Sequence, residues 1–138
     1  KHGAYLIRNA DLQGWSGSER EMLAAIVRYH RKALPRPAHP EWSAISAPER
    51  ERVGILAGIL RVADALDVRQ QGIVSDVRVR WGLQAVTIEV EGNQALAAND
   101  LALELAAAEF KSDLLAKALG RAVLTRGVPA LPAEADVR

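Results

Sequence analysis

The sequence predicts a mainly α-helical fold that ends in a small unit made of a β-hairpin and a helix. About half of the 138 residues are apolar and only 4% are aromatic, a composition that favours helices over a sheet sandwich. Apolar residues recur at helical spacing through the first 70 residues. A strict alternation of apolar and polar residues in 76–81 and 86–91 then indicates two short strands.

The first predicted helices have local start and stop signals. Residues 1–12 are typical of the end of a helix that runs into a turn. Ser18 and Glu21 have the spacing of a capping box, which predicts a helix from about Glu19 to Ala33. Three prolines then predict an extended loop through residues 35–45.

The longest predicted helix runs from about Ala47 to Gln70. Ser46 and Glu49 form a second capping box at its start, and Gly72 is a natural stop. Five residues at helical spacing predict its buried stripe: Val53, Leu56, Ala57, Leu60 and Ala63.

The predicted hairpin has one apolar face and one charged face. The apolar face comprises Val77, Val79, Val86 and Ile88. We expect it to pack on the final helix through Leu101, Leu105 and Leu114. That helix is predicted to begin at Asn99 or Asp100 and to end at Leu119, and residues 122–125 predict a last short strand.

The bulk composition excludes several classes of function. A formal net charge of +1 creates no overall field for nucleic acid or membranes, so an anion site requires local clustering. The absence of cysteine excludes disulfides and thiolate metal sites and fits a cytoplasmic protein. No apolar run reaches the roughly 18 residues of a membrane span. The chain opens without an initiator methionine or a signal peptide, which suggests a fragment.

A basic cluster lies at the predicted end of the second helix. It comprises Arg28, His30, Arg31 and Lys32. Cations at a helix C-terminus complement the helix dipole, which is a purely structural explanation. Arginine also offers a planar fork to phosphate and lysine a point charge, so the same residues suit an anion site. Both interpretations remain open on the residues alone.

Three further polar residues have the chemistry of ligands. His30 continues the apolar stripe of its helix and is expected to face inward, as a hydrogen-bonded core residue or as a ligand. Asp64 falls on the expected buried stripe of the long helix, where Arg61 is in reach as an ion-pair partner. His2 has too little preceding sequence to interpret.

Two stretches in combination resemble one protein family. KHGAYLIRNADLQGWSGSEREMLAAIVRYHRK at 1–32 and ERVGILAGILRVADALDVRQ at 51–70 are similar to segments of the Ppx/GppA phosphatases. The hairpin and LELAAAEFKSDLLAKALGRAV at 103–123 resemble the closing segment of that family. No glycine-rich phosphate loop, paired Cys/His ligand set or nucleophile elbow occurs in the sequence.

The resemblance implies a fold and a division of the chain. Residues 1–72 are expected to form the second half of an HD-like helical domain, and residues 73–138 a C-terminal appendage of hairpin and helix. Full-length members begin with two actin-like domains, absent here, that hydrolyse phosphoanhydride bonds of inorganic polyphosphate or guanosine pentaphosphate, usually with Mg²⁺. We therefore expect no catalytic residue and no cofactor in this chain.

The implied role is that of an accessory region. It would bind polyphosphate through Arg28, His30, Arg31 and Lys32 and support a homodimer, in the cytoplasm and without membrane or nucleic-acid partners. The missing N-terminal domains are its expected partners, and the choice between polyphosphate and guanosine pentaphosphate stays open.

The resemblance also implies a remnant of an HD-type metal site. His2 resembles the last member of a histidine cluster, His30 the histidine of the VRYHRK run, and Asp64 the distal aspartate. The adjacent His-Asp pair would precede Lys1, so the ligand set is incomplete and no metal is predicted. Two alternatives remain: an HD-type metal-dependent phosphohydrolase that acts on nucleotides, and a plain protein-interaction module with an exposed apolar surface.

Overall fold

A computed structural model describes residues 2–93 and 101–129. The elements, in chain order, are α1 (His2–Asn9), α2 (Gly17–Tyr29), α3 (Pro40–Ser43), α4 (Ala47–Leu66), β1 (Val74–Trp81), β2 (Ala85–Gly92), α5 (Ala102–Lys111), α6 (Asp113–Leu119) and β3 (Ala122–Val128). The prediction of a mainly α fold with a small α+β appendage is confirmed. Within the described ranges, no helix is both long enough and apolar enough to cross a bilayer.

Helix α2 begins two residues earlier than predicted. The hydroxyl of Ser16 accepts a hydrogen bond from the backbone N–H of Glu19 at 3.2 Å, and the Glu19 carboxylate accepts one from the Ser16 N–H at 2.8 Å. These reciprocal bonds form the capping box. The predicted box of Ser18 and Glu21 is wrong, because the Ser18 hydroxyl donates to Glu49 instead.

The segment between α2 and α4 contains more structure than predicted. An extended loop was expected, but Pro40 begins the one-turn helix α3, where its fixed φ suits the first helical position. The second capping box is confirmed: the Ser46 N–H donates to Glu49 at 2.7 Å. Helix α4 then ends at Leu66 rather than at Gln70, since Gln70 already has a positive φ of 54°.

The buried face of α4 differs from the predicted apolar stripe. Val53 and Ala57 are buried as predicted, but Leu56 and Leu60 remain 48% and 42% exposed, so that part of the prediction is wrong. The helix buries Gly54 and Gly58 in their place. A side chain at Gly58 would lie 2.8 Å from the Cα of Leu115, so the missing side chain allows α6 to approach α4 closely. The inward face of α4 is therefore the one whose small residues allow the close crossing with α6, and not the one with the largest apolar side chains.

The sheet has the order β1-β2-β3, with β1 and β2 antiparallel and β2 and β3 parallel. A parallel pair requires a long crossover, and α5 and α6 lie within the segment that provides it. The single predicted final helix is two helices, because Ser112 separates them and its hydroxyl donates to the Glu109 carbonyl at 2.8 Å. The predicted caps Asn99 and Asp100 lie outside the described residues.

Only one strand of the hairpin is buried as predicted. Ile88 packs in a core cluster with Leu101 and Leu115. Val77 and Val79 on β1 are 40% and 51% exposed, contrary to prediction. β1 is an edge strand, and α5 and α6 pack against β3 at the other edge.

The predicted role of Leu114 is also wrong. Its side chain joins a second core cluster with Tyr29 and Val53, formed by the first helices. Helix α6 thus contributes to both clusters, through Leu114 on one side and Leu115 on the other.

A buried ion pair connects α5 to the segment after α4. Glu104 is fully buried, and Arg69 donates to it from Nε at 2.7 Å and from Nη2 at 2.6 Å. These two hydrogen bonds lower the pKa of Glu104 from its ordinary value, and they outweigh burial, which would raise it.

Acidification is expected to weaken the fold through this pair. Because the pKa of Glu104 is lowered on folding, the charged pair stabilises the protein above the unfolded pKa of about 4.3, and this contribution is lost as the pH falls further. Arg69→Met should therefore lower the free energy of unfolding at pH 7. Between pH 5 and pH 3, the further decrease in that free energy should be smaller in the variant than in the parent. Urea denaturation midpoints at pH 7, 5 and 3 measure both effects. A variant with the same pH dependence as the parent would contradict the assignment.

Candidate functional site

The predicted site residues line one open cleft of about 820 Å³. We call it the basic cleft. Its lining comprises His2, Gly3, Val27, Arg28, His30, Arg31, Lys32, Ala33, Asp64 and Lys111. Four helices contribute to it or lead directly into it: α1, the end of α2, α4 and the end of α5. The structure therefore brings together residues that are up to 109 positions apart in the chain.

The end of α2 presents two exposed cations. The helix ends at Tyr29, four residues before the predicted end at Ala33, so Arg31 and Lys32 lie in the following turn. Both side chains are exposed. Among the described residues, no carboxylate forms an ion pair with either of them. Their charges are thus available to a ligand in the basic cleft.

Arg28 has a different environment from its two neighbours. Its side chain is only 8% exposed, and its Nε lies 3.3 Å from Oε2 of Glu41 on α3. Its guanidinium carbon also lies 5.9 Å from the ring centroid of Tyr29. Glu41 balances most of the Arg28 charge, so Arg28 holds α3 against α2 and contributes less to the field of the cleft than Arg31 or Lys32.

The backbone that carries Arg31 is held by a buried arginine. Arg61 on α4 is 3% exposed, and its Nη1 donates to the carbonyls of Tyr29 at 3.1 Å and Arg31 at 3.2 Å. The Tyr29 carbonyl is one of those that the end of a helix leaves without a partner, and the Arg31 carbonyl lies in the turn that follows. Nη2 forms an ion pair with Asp113 at 2.9 Å. The predicted pairing of Arg61 with Asp64 is therefore wrong.

Lys111 is a lining residue that the sequence did not indicate. It is the last residue of α5, and its Nζ donates to the Arg31 carbonyl at 2.6 Å. The two residues are separated by 80 positions, so no local pattern connects them. No local signal in the sequence indicated it, because Lys111 falls in the middle of the single helix that was predicted to end at Leu119.

The two histidines line the cleft from adjacent helices. Nδ1 of His30 lies 2.8 Å from the Val27 carbonyl, and because a carbonyl only accepts, Nδ1 is the donor. In the neutral ring Nε2 is then left as an acceptor. His2 on α1 is exposed. A side chain at the next residue, Gly3, would lie 2.7 Å from Cγ1 of Val27, so the close approach of α1 to α2 depends on this glycine.

Asp64 lies on the exposed side of α4, not on the buried stripe that was predicted. The buried side of the helix carries Arg61 and Ala65 instead. Across the described parts of the chain, no cation forms an ion pair with Asp64. Its carboxylate therefore opposes part of the positive charge of the basic cleft.

The described residues of the cleft do not form a ligand set for a metal ion. Within residues 2–93 and 101–129, no three histidine, aspartate or glutamate side chains lie close enough to hold one. His2, His30 and Asp64 share the cleft without forming a ligand set. Most of the charged residues that line the cleft are cations, and cations favour an anion as the ligand.

The helical body, the small three-stranded sheet and the basic cleft define a mainly helical domain with a small α+β appendage and a cation-lined cleft. The family model described as Ppx/GppA phosphatase, domain III, matches residues 1–111. The chain belongs to the Ppx/GppA phosphatase family, as the resemblance predicted, and the matched residues correspond to domain III of an exopolyphosphatase-type enzyme. The match includes every residue that lines the basic cleft and ends at Lys111.

Proposed function

We propose that this domain binds inorganic polyphosphate in the basic cleft and so serves as an accessory region of an exopolyphosphatase-type enzyme in the cytoplasm. The observation that carries the proposal is the position of Arg31 and Lys32 on one open cleft. Neither of them has a carboxylate partner among the described residues. A chain of closely spaced negative charges is the ligand that such a group of cations favours.

The lining of the cleft supports a phosphate chain more than a nucleotide. Proteins commonly recognise bases by stacking them on aromatic side chains. The lining contains no phenylalanine, tyrosine or tryptophan among the described residues. Polyphosphate needs no such platform, since its repeating charge is the recognised feature. We therefore favour polyphosphate over guanosine pentaphosphate as the ligand of the basic cleft.

The proposal separates binding from chemistry. Hydrolysis of the phosphoanhydride bond belongs to the actin-like domains expected in the parent enzyme, which would use Mg²⁺. This domain would hold a distant part of the same chain. Its contribution would be a higher local concentration of substrate and a longer residence time on the enzyme.

A titration with long-chain polyphosphate tests the proposed function. The 138-residue chain is mixed with polyphosphate at low and moderate salt, with and without a chelator, while released phosphate is measured. We expect binding that weakens with salt and releases no phosphate, and weaker binding of guanosine pentaphosphate and orthophosphate. Absence of polyphosphate binding at low salt would overturn the proposal.

A second candidate is the HD-type phosphohydrolase that acts on nucleotides. The observation in its favour is that His2, His30 and Asp64 line one cleft. Release of phosphate from nucleotides that requires a divalent metal and is lost in Asp64→Asn would establish this candidate. Polyphosphate binding without metal-dependent release would eliminate it for this chain.

We also propose that the domain forms a homodimer through an apolar groove. An apolar groove of about 540 Å³ lies between α4 and the exposed face of β1. Its lining includes Ile59, Val77, Val79 and Trp81, and Asp67 is the one charged residue among the described residues that form it. Exposed apolar surface of this kind is typical of interfaces. We propose that a second copy of the domain covers the groove, as expected for a homodimer.

A charge placed in the groove is expected to prevent association. Trp81→Glu adds a carboxylate to the apolar lining, which an interface would have to bury without a partner. Leu83→Glu is the matched control, because Leu83 is 95% exposed at the hairpin turn and outside the groove. Sedimentation velocity should show a dimer for the parent and for Leu83→Glu, and a monomer for Trp81→Glu. If the parent is monomeric, the groove remains available to a different protein, as in the interaction-module alternative.

A further inference from the structure

We infer that Lys111 contacts the phosphate chain directly, so that the basic cleft is a clamp with one wall at the end of α2 and a second wall at the end of α5. The inference rests on the proposed function and goes beyond it. It assigns a binding residue outside the cluster Arg28–Lys32. It also extends the binding surface into the part of the chain that follows α4.

Lys111 has more hydrogen-bonding capacity than its one hydrogen bond within the domain uses. An ammonium group has three N–H donors and accepts none. One donor is used on the Arg31 carbonyl at 2.6 Å. No carboxylate of the described residues forms an ion pair with Lys111. Two donors and the full positive charge thus remain for a ligand in the cleft that Lys111 lines.

Hydrogen bonds and an ion pair hold the two walls together. Arg61 bonds the carbonyls of Tyr29 and Arg31 at the end of α2 and also pairs with Asp113, two residues after Lys111. Lys111 adds its own bond to the Arg31 carbonyl. The cations on both walls are therefore positioned before a ligand arrives, which reduces the cost of ordering them on binding.

A two-sided clamp has a consequence for the class of ligand. We expect a chain of several phosphates to contact more of the cations on the two walls at once than orthophosphate does. Affinity per molecule should therefore rise with chain length until both walls are contacted. The Asp64 carboxylate also lines the cleft and repels an anion. This repulsion disfavours a small anion that only one or two cations would hold.

A purely structural role for Lys111 is the competing explanation. Lys111 at the end of α5 donates to the Arg31 carbonyl in the turn after α2, and this bond alone could explain its position. In that case its loss would reduce stability and leave the salt dependence of binding unchanged. The salt dependence therefore separates the two explanations, since its slope counts the cations that contact phosphate.

The test compares Lys111→Gln with Lys117→Gln in the 138-residue chain. Glutamine retains a donor for the Arg31 carbonyl and removes the charge. Lys117 is exposed on α6 and outside the cleft, so it is the matched control. We expect Lys111→Gln to raise the Kd for long-chain polyphosphate about fivefold and to reduce the magnitude of the slope of log K against log salt by about 1. Lys111→Arg should restore both quantities.

The outcomes distinguish this inference from the proposed function. If the parent binds polyphosphate and Lys111→Gln has the same Kd and the same slope, the inference is overturned and the proposed function stands. If the parent does not bind, the proposed function fails and the inference fails with it. If Lys111→Gln loses stability, the slope measured below its unfolding temperature still decides, because a structural bond leaves that slope unchanged.

Discussion

Replacement of Arg61 with methionine is expected to lower the free energy of unfolding by about 3 kcal/mol. The side chain is almost fully buried and donates to the carbonyls of Tyr29 and Arg31, and it also pairs with Asp113. Methionine fills a similar volume and donates no hydrogen bond. The loss leaves the Tyr29 carbonyl without its partner in a buried environment, while the partly exposed Asp113 can be solvated.

Urea denaturation followed by circular dichroism measures this effect. Arg52→Met is the matched control, because Arg52 is exposed on the same helix and its replacement should change stability by less than about 0.5 kcal/mol. We also expect Arg61→Met to bind polyphosphate more weakly below its unfolding temperature, since Arg61 positions Arg31 without lining the cleft. Equal stabilities of the two variants would show that the buried network contributes little.

Removal of both unpaired cations at the end of α2 should weaken polyphosphate binding about 30-fold, at roughly 1 kcal/mol for each cation near an anionic surface. Arg31 and Lys32 are exposed and have no carboxylate partner within the described residues. The Arg31→Ala/Lys32→Ala variant should therefore retain its stability, which separates a binding effect from misfolding.

The control for that variant carries the same change in net charge at a different place. Arg52→Ala/Lys117→Ala also removes one arginine and one lysine, and both residues are exposed and outside the basic cleft. Isothermal titration with polyphosphate at fixed salt measures all three proteins. Equal losses of affinity in the two double variants would mean that net charge, and not the cleft, attracts the ligand.

Local signals in the sequence were sufficient for most elements of the fold, although they missed α3 and the break between α5 and α6. The box of Ser46 and Glu49, the alternation in the hairpin and the end of the final helix at Leu119 each depend on residues within a few positions. The face of α4 was not predictable in this way. Size and hydrophobicity favour Leu56 and Leu60 as core residues, but close packing on α6 selects the small residues of the opposite side.

The alternation on β1 shows a related limit. It correctly places Val77 and Val79 on one face of the strand, but whether that face is covered depends on where α5 and α6 pack. The apolar groove is the result of this non-local arrangement.

The basic cleft was predictable only in part. Arg31 and Lys32 were found because they are neighbours in a conspicuous cluster. Arg28 has the same appearance in the sequence, yet it is balanced by Glu41 on a short helix that was predicted as loop. Lys111 was missed because its position depends on α5 packing against the rest of the domain. Residue type identified candidate binding residues, and tertiary packing decided which of them are available to a ligand.

The most direct test of the central claim is the salt dependence of polyphosphate binding to the 138-residue chain. With Arg31, Lys32 and Lys111 in contact with phosphate, we predict a slope of log K against log salt of about −2 to −3. The slope should fall to about −1 in Arg31→Ala/Lys32→Ala, in which one of the three cations remains. A slope near zero, or a slope that the double variant leaves unchanged, would contradict polyphosphate binding in the basic cleft.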